Sequence, residues 1–128
     1  MISGMRCLQK LWCNMSRHED RLRLRHMLRY SREIMTLARG KARADLDHER
    51  LLNLALVRLI EIVGEAACRV SPETRAGHPE IPWAQITNMR NRLIHGYDWV
   101  DFDILWQTVI EDIPELAAKL EAFVPTEE

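Results

Sequence analysis

The sequence predicts an all-α protein, an up-and-down bundle of four to five helices, and three observations carry that prediction. Apolar residues recur at three- and four-residue spacing over long stretches. Glycine and proline are scarce, at five each in 128 residues, and aromatics make up only 6%. The remaining composition leans to Leu, Ala, Arg and Glu, which favour helices over a sandwich or barrel. With 47% hydrophobic residues the chain can bury a core, and its length suits one domain. Residues 1–15 read as a peripheral extension, 16–124 as the bundle and 125–128 as a tail.

Taken in order, Ser16 with Glu19 three residues later forms a capping-box pattern, so the first long helix begins there. Leu22, Met27, Leu28, Ile34, Leu37 and Ala38 supply its apolar contacts, and Gly40 can take the left-handed conformation that ends it. After the basic linker KARAD, a second helix is expected from near Asp47 to Val70, apolar on most of its circumference and therefore central. Its polar stripe, Arg58, Glu61, Glu65 and Arg69, advances by three or four residues and lies along one side. Gly64 in the middle costs about 1 kcal/mol relative to Ala, which predicts close approach of another helix there.

SPETRAGHPEIP, residues 71–82, reads as a loop with at most one short turn. Pro82 is suited to open a third helix, because its missing N–H is not needed at that position. That helix should turn Trp83, Ile86, Met89, Leu93 and Ile94 inward and reach Gly96. A fourth begins near Asp101 with Phe102, Leu105, Trp106, Val109 and Ile110. Pro114 then makes the C-terminal stretch either a kinked continuation or a short fifth helix.

The formal charge of −1 hides an asymmetry. Residues 1–64 carry thirteen Lys or Arg against seven acids, and residues 65–128 carry five against twelve. The halves either neutralise one another across helix faces or leave a basic surface, the tract Arg21–Arg32, for a polyanion. Cys7, Cys13 and Cys68 show no zinc spacing and leave an odd thiol, so a reducing, cytoplasmic compartment is expected. Arg6, Gln9 and Lys10 interrupt the first residues, which argues against a signal peptide or membrane span.

Polar chemistry concentrates in NMRNRLIHGYDWVD, residues 88–101. On a continuous helix Asn88, Asn91 and His95 share one face, and Arg90 and Tyr97 share the adjacent one. Asn91 could then hold a ring nitrogen of His95 and set which nitrogen moves a proton. Arg90 and His95 lie about 140° apart around such a helix, so their meeting needs a distorted helix, the reach of arginine, or a second subunit. A histidine beside a planar cation suits phosphodiester chemistry: one shuttles the proton, the other holds phosphoryl oxygens where charge develops. RNA supplies its own nucleophile in the 2′-hydroxyl, so neither metal nor cofactor is expected. The competing reading is structural, with cations meeting the negative end of a helix and Tyr97 packing at the surface.

RNRLIHGY has the form R-x4-H-x-Y, and with LIEIVGEAA and HPEIPW before it the chain resembles a HepT-like toxin of the HEPN superfamily from about Ser16 to Phe123. The resemblance implies an all-α homodimer acting as a metal-independent RNA endonuclease, with two R-x4-H motifs facing each other across the dimer cleft. On it, Arg90 and His95 are the catalytic pair and Asn91 supports them. It also implies a partner, a minimal nucleotidyltransferase (MNT) antitoxin that adenylylates the motif tyrosine, here Tyr97, and so silences the toxin. The alternative is a catalytically silent helical dimer that binds nucleotide or the antitoxin. Glu61 and Glu65 either border the cleft and pair with Arg90 or form a ladder with Arg58 and Arg69. His18, His26, His48 and His78 are expected as solvated surface residues.

Overall fold

A computed structural model describes residues 17–124. The cap at Ser16, the extension 1–15, Cys7, Cys13 and the tail 125–128 lie outside the described residues, as does the side chain of His18. The architecture is the expected all-α bundle, and among the described residues the only β-type pairing is one isolated antiparallel bridge, Ile94 with Val100.

Helix α1, Arg17–Ala38, buries Leu24, Met27, Leu28 and Ile34 and is followed by Gly40 at φ +76°, the left-handed residue that closes the end. One helical turn, α2 (Asp45–His48), precedes the central helix α3, Arg50–Cys68. Glu49 between them is extended, so α3 starts a turn later than its apolar pattern predicts. Two side chains hold the break: Asn53 donates to the Leu46 carbonyl at 2.9 Å, and Lys41 bonds the Glu49 carboxylate at 3.0 Å. That carboxylate raises the Lys41 pKa above its ordinary value.

Helix α3 hides Leu52, Leu56, Leu59, Ile60, Val63, Ala66 and Ala67 against α1 and the later helices, as a central helix must. The loop after it contains the one short turn expected, α4 (Pro72–Ala76). Ser71 caps α4, and the buried Asp20 of α1 accepts from the Ser71 N–H at 3.1 Å and the Thr74 hydroxyl at 2.7 Å. This stitches the loop to the first helix. His78 in that loop departs from the solvated role expected of it: its ring stacks on Phe123 at 3.7 Å and 11°, because Trp83 anchors the loop by donating to the His78 carbonyl.

Two five-residue helices follow, α5 (Trp83–Thr87) and α6 (Met89–Leu93). A Cβ placed on Gly64 would come 3.2 Å from the Ile86 carbonyl oxygen, so the glycine does mark where α5 crosses α3 closely. Helix α7, Phe102–Gln107, is capped by Asp101, whose carboxylate accepts from the N–H groups of Asp103 and Ile104. It runs through a π-helical turn, Thr108–Asp112, into α8, Ile113–Glu121. Pro114 therefore sits in a continuation, with the wide turn just upstream giving room to a ring that cannot donate. Helix α8 returns along α1, where Arg32 meets Glu121 at 2.9 Å.

Candidate active site

The polar cluster is assembled by a broken chain, where a continuous helix was expected. Asn88, at φ −102° and ψ 4°, separates α5 from α6, and its side-chain oxygen accepts from Asn91 Nδ2 at 2.9 Å. Helix α6 stops at Leu93 and does not reach Gly96. Ile94 is extended and pairs with Val100, the His95 N–H donates to the Trp99 carbonyl at 2.9 Å, and the Asp101 N–H takes the Leu93 carbonyl at 2.7 Å. The chain reverses so that Asp101 can open α7, and that reversal satisfies the Leu93 carbonyl which a longer helix would have bonded.

His95 consequently stands on the arm of a tight hairpin, with Tyr97 fully exposed near its tip. The shared helical face of Asn88, Asn91 and His95 does not form. Asn91 turns to Asn88, and His95 is fixed through its backbone and through its ring, 4.9 Å from the Trp99 ring at 59°. Among the described residues, no hydrogen bond joins Arg90 to His95 within one chain.

Arg90 points the other way, toward α3. Its Nε donates to Glu61 Oε2 at 3.0 Å, which leaves both terminal amino groups of the guanidinium free of that bond. Glu61 also receives Arg58 at 3.4 Å through its other oxygen, while Glu65 pairs with Arg69 at 3.2 Å. The two roles considered for the glutamates are thus both present in Glu61. These exposed pairs contribute about 0–1 kcal/mol each to stability, so their value lies in placing the arginines.

Arg90 stands at the edge of a cleft of about 650 Å³ between α1 and α3, to which Arg23, Arg58 and Arg69 also contribute, with His26 on the α1 wall. Arg23 is itself paired with Glu19 at 3.3 Å, so four arginines face three carboxylates and the cleft keeps a single positive excess, to which the basic tract Arg21–Arg32 contributes Arg23. Arg92 does a different job. It reaches Asp112 at 3.0 Å and the Thr108 hydroxyl at 3.3 Å and ties α6 to the π-helical turn. Nothing in the neighbouring sequence marks Arg92 for this task, because its partners Thr108 and Asp112 lie 16 and 20 residues further on.

The arrangement supplies an exposed imidazole for proton transfer and an oriented guanidinium for an anionic oxygen, on one stretch of chain beside a cationic cleft. Among the described residues, no group of three or more His, Cys, Asp or Glu side chains could hold a metal ion, and no helix is long and apolar enough to cross a membrane.

An all-α bundle with R-x4-H spread over a short helix and the hairpin behind it fits the HEPN superfamily of helical proteins. The chain belongs to the HepT-like family of that superfamily: the family model described as "Ribonuclease HepT-like" matches residues 27–123. Among curated proteins, "Putative RNase TTE0752" of Caldanaerobacter subterraneus subsp. tengcongensis is 34% identical over 104 residues, covering 81% of this chain and 93% of that one. "Probable ribonuclease HepT" of Thermococcus cleftensis is 44% identical over 73 residues, 57% of this chain and 66% of its own. "Putative RNase MJ1380" of Methanocaldococcus jannaschii is 27% identical over 107 residues, 84% and 98% of the two chains. No solved structure matches.

Proposed function

We propose that the protein is a metal-independent RNA endonuclease, the toxin of a HEPN/MNT toxin–antitoxin pair acting in the cytoplasm, with Arg90 and His95 as its catalytic pair. The observation that carries the reading is the Glu61–Arg90 pair at 3.0 Å, which holds a catalytic guanidinium ready at a cationic cleft while His95 stands exposed on the adjoining hairpin.

The proposed step is internal transesterification. His95 takes the proton of the ribose 2′-hydroxyl, the 2′-oxygen bonds to phosphorus, and the bond to the 5′-oxygen breaks. The imidazolium so formed returns its proton to that oxygen as it leaves, giving a 2′,3′-cyclic phosphate, a 5′-hydroxyl and a neutral His95. Arg90 stabilises the charge that builds on the phosphoryl oxygens of the phosphorane. Because Arg90 turns toward α3 and His95 toward Trp99, a homodimer is proposed to complete each site, one protomer's His95 serving beside its partner's Arg90. Asn91 supports the cluster from the α6 surface.

Tyr97 is proposed as the residue that the nucleotidyltransferase antitoxin adenylylates. Its complete exposure lets another enzyme reach the hydroxyl, and an anionic nucleotide two residues from His95 would compete with RNA for the arginines. The test is RNA incubated with pure protein in EDTA beside Arg90→Ala and His95→Ala. Wild type should cut to cyclic phosphate ends and the variants should lose about 10²–10⁴-fold. Equal cutting by all three, or cutting only when divalent metal is restored, defeats the assignment. After co-expression with the antitoxin, intact mass should rise by whole AMP units in wild type and stay unchanged in Tyr97→Phe.

A further inference from the structure

The hairpin that carries His95 also carries a side chain without a role in the scheme above. Trp99 is a large apolar ring left 57% exposed, in a segment where Tyr97 and Asp98 are exposed as well. It is not loosely held. Its carbonyl accepts the His95 N–H at 2.9 Å, the neighbouring Ile94–Val100 bridge closes the hairpin, and its ring lies 4.9 Å from the imidazole at 59°. Folding has therefore fixed an indole in water against the proposed proton carrier without burying it. The same residue borders an open hollow of about 430 Å³ with Arg43, Arg50, Asp98, Asp101 and Asp103, where three carboxylates outnumber two arginines, so the exposed ring and not the hollow is the surface offered to an anionic strand.

We propose that Trp99 is a base-stacking residue, taking one nucleobase of single-stranded RNA that flanks the scissile linkage. The inference rests on the ribonuclease reading for the position of the substrate. If His95 handles a 2′-hydroxyl, the base on that ribose or the next lies within a sugar's breadth of the imidazole, and the indole is fixed at that distance. Every base has a π-face, so an aromatic platform here binds without strict sequence demand and presents single strands ahead of duplex, whose bases are already stacked. The indole would act by holding the substrate, and proton transfer would stay with His95.

The experiment uses the full chain, with Trp99→Ala and Trp99→Phe, and a fluorescein-labelled, fully 2′-O-methylated 12-nucleotide single strand. This probe lacks the free hydroxyl that the cleavage step needs, so it reads binding alone. Trp99→Ala should weaken binding about tenfold to a hundredfold, and Trp99→Phe should stay within about threefold of wild type. With cleavable RNA, the same loss should appear in KM while kcat changes little. An abasic nucleotide placed beside the cut should harm wild type and add nothing to Trp99→Ala. Unchanged affinity in Trp99→Ala overturns the proposal. So does conversion to a slower-sedimenting species in that variant, which would mean that Trp99 packs against a second copy of the chain. If wild type binds the probe through Trp99 yet cuts no RNA, stacking survives and the nuclease reading fails, so the two are separable.

Discussion

Helix α3 runs for 19 residues without a break and hides a whole side of itself, whereas residues 88–101 pass through a turn, a five-residue helix, an isolated bridge and a hairpin, leaving most of their polar side chains in water. The two regions touch at α6 and at the Arg90–Glu61 pair. The long helix supplies a rigid wall, and the broken segment uses that wall to aim one guanidinium while its hairpin presents an imidazole. On the proposed reading, stability rests with the first region and chemistry with the second, a division that substitutions can challenge.

The largest effect should fall on activity alone. His95→Ala ought to remove about 10²–10⁴-fold of RNA cleavage, and since the side chain is exposed its urea midpoint should stay close to wild type. A collapse of the fold in that variant would show that the hairpin is structural after all. Leu56→Ala, at a fully buried position of α3, should cost about 2–5 kcal/mol by urea unfolding, with full cleavage retained in whatever fraction stays folded.

Two smaller changes probe the seam between the regions. Gly64→Ala gains about 1 kcal/mol of helix propensity, but its methyl meets the Ile86 backbone oxygen at 3.2 Å, and backbone yields poorly. A net loss of about 1 kcal/mol in thermal unfolding is expected from overpacking; a gain would mean that α5 shifts freely. Glu61→Gln removes the charge that aims Arg90. It should lower cleavage several-fold while stability moves by no more than about 1 kcal/mol, and equal activity would deny the glutamate any part in placing the guanidinium.

Much of the scaffold was legible in the chain. The 3.6-residue apolar period marked α1 and α3, Gly40 marked the end of α1, Asp101 the start of α7, and Gly64 the close crossing with α5. The breaks at Glu49 and Asn88 were not legible, because both interrupt stretches whose apolar spacing continues across them. The partnership of Asp20 with Ser71, and of Arg92 with Asp112, joins residues far apart in sequence, and no local pattern announces it.

Residue types alone determined the all-α class, the position of the central helix, and the cluster Arg90, Asn91, His95 and Tyr97, because periodicity and composition act over a few residues. Tertiary structure decided where that cluster points. Whether α6 runs on to Gly96 or reverses after Leu93 depends on which donor takes the Leu93 carbonyl, and the Asp101 N–H arrives there only when α7 packs back on α6. In the same way Arg90 takes its direction from Glu61, a partner 29 residues earlier on another helix that only the folded chain brings within 3.0 Å.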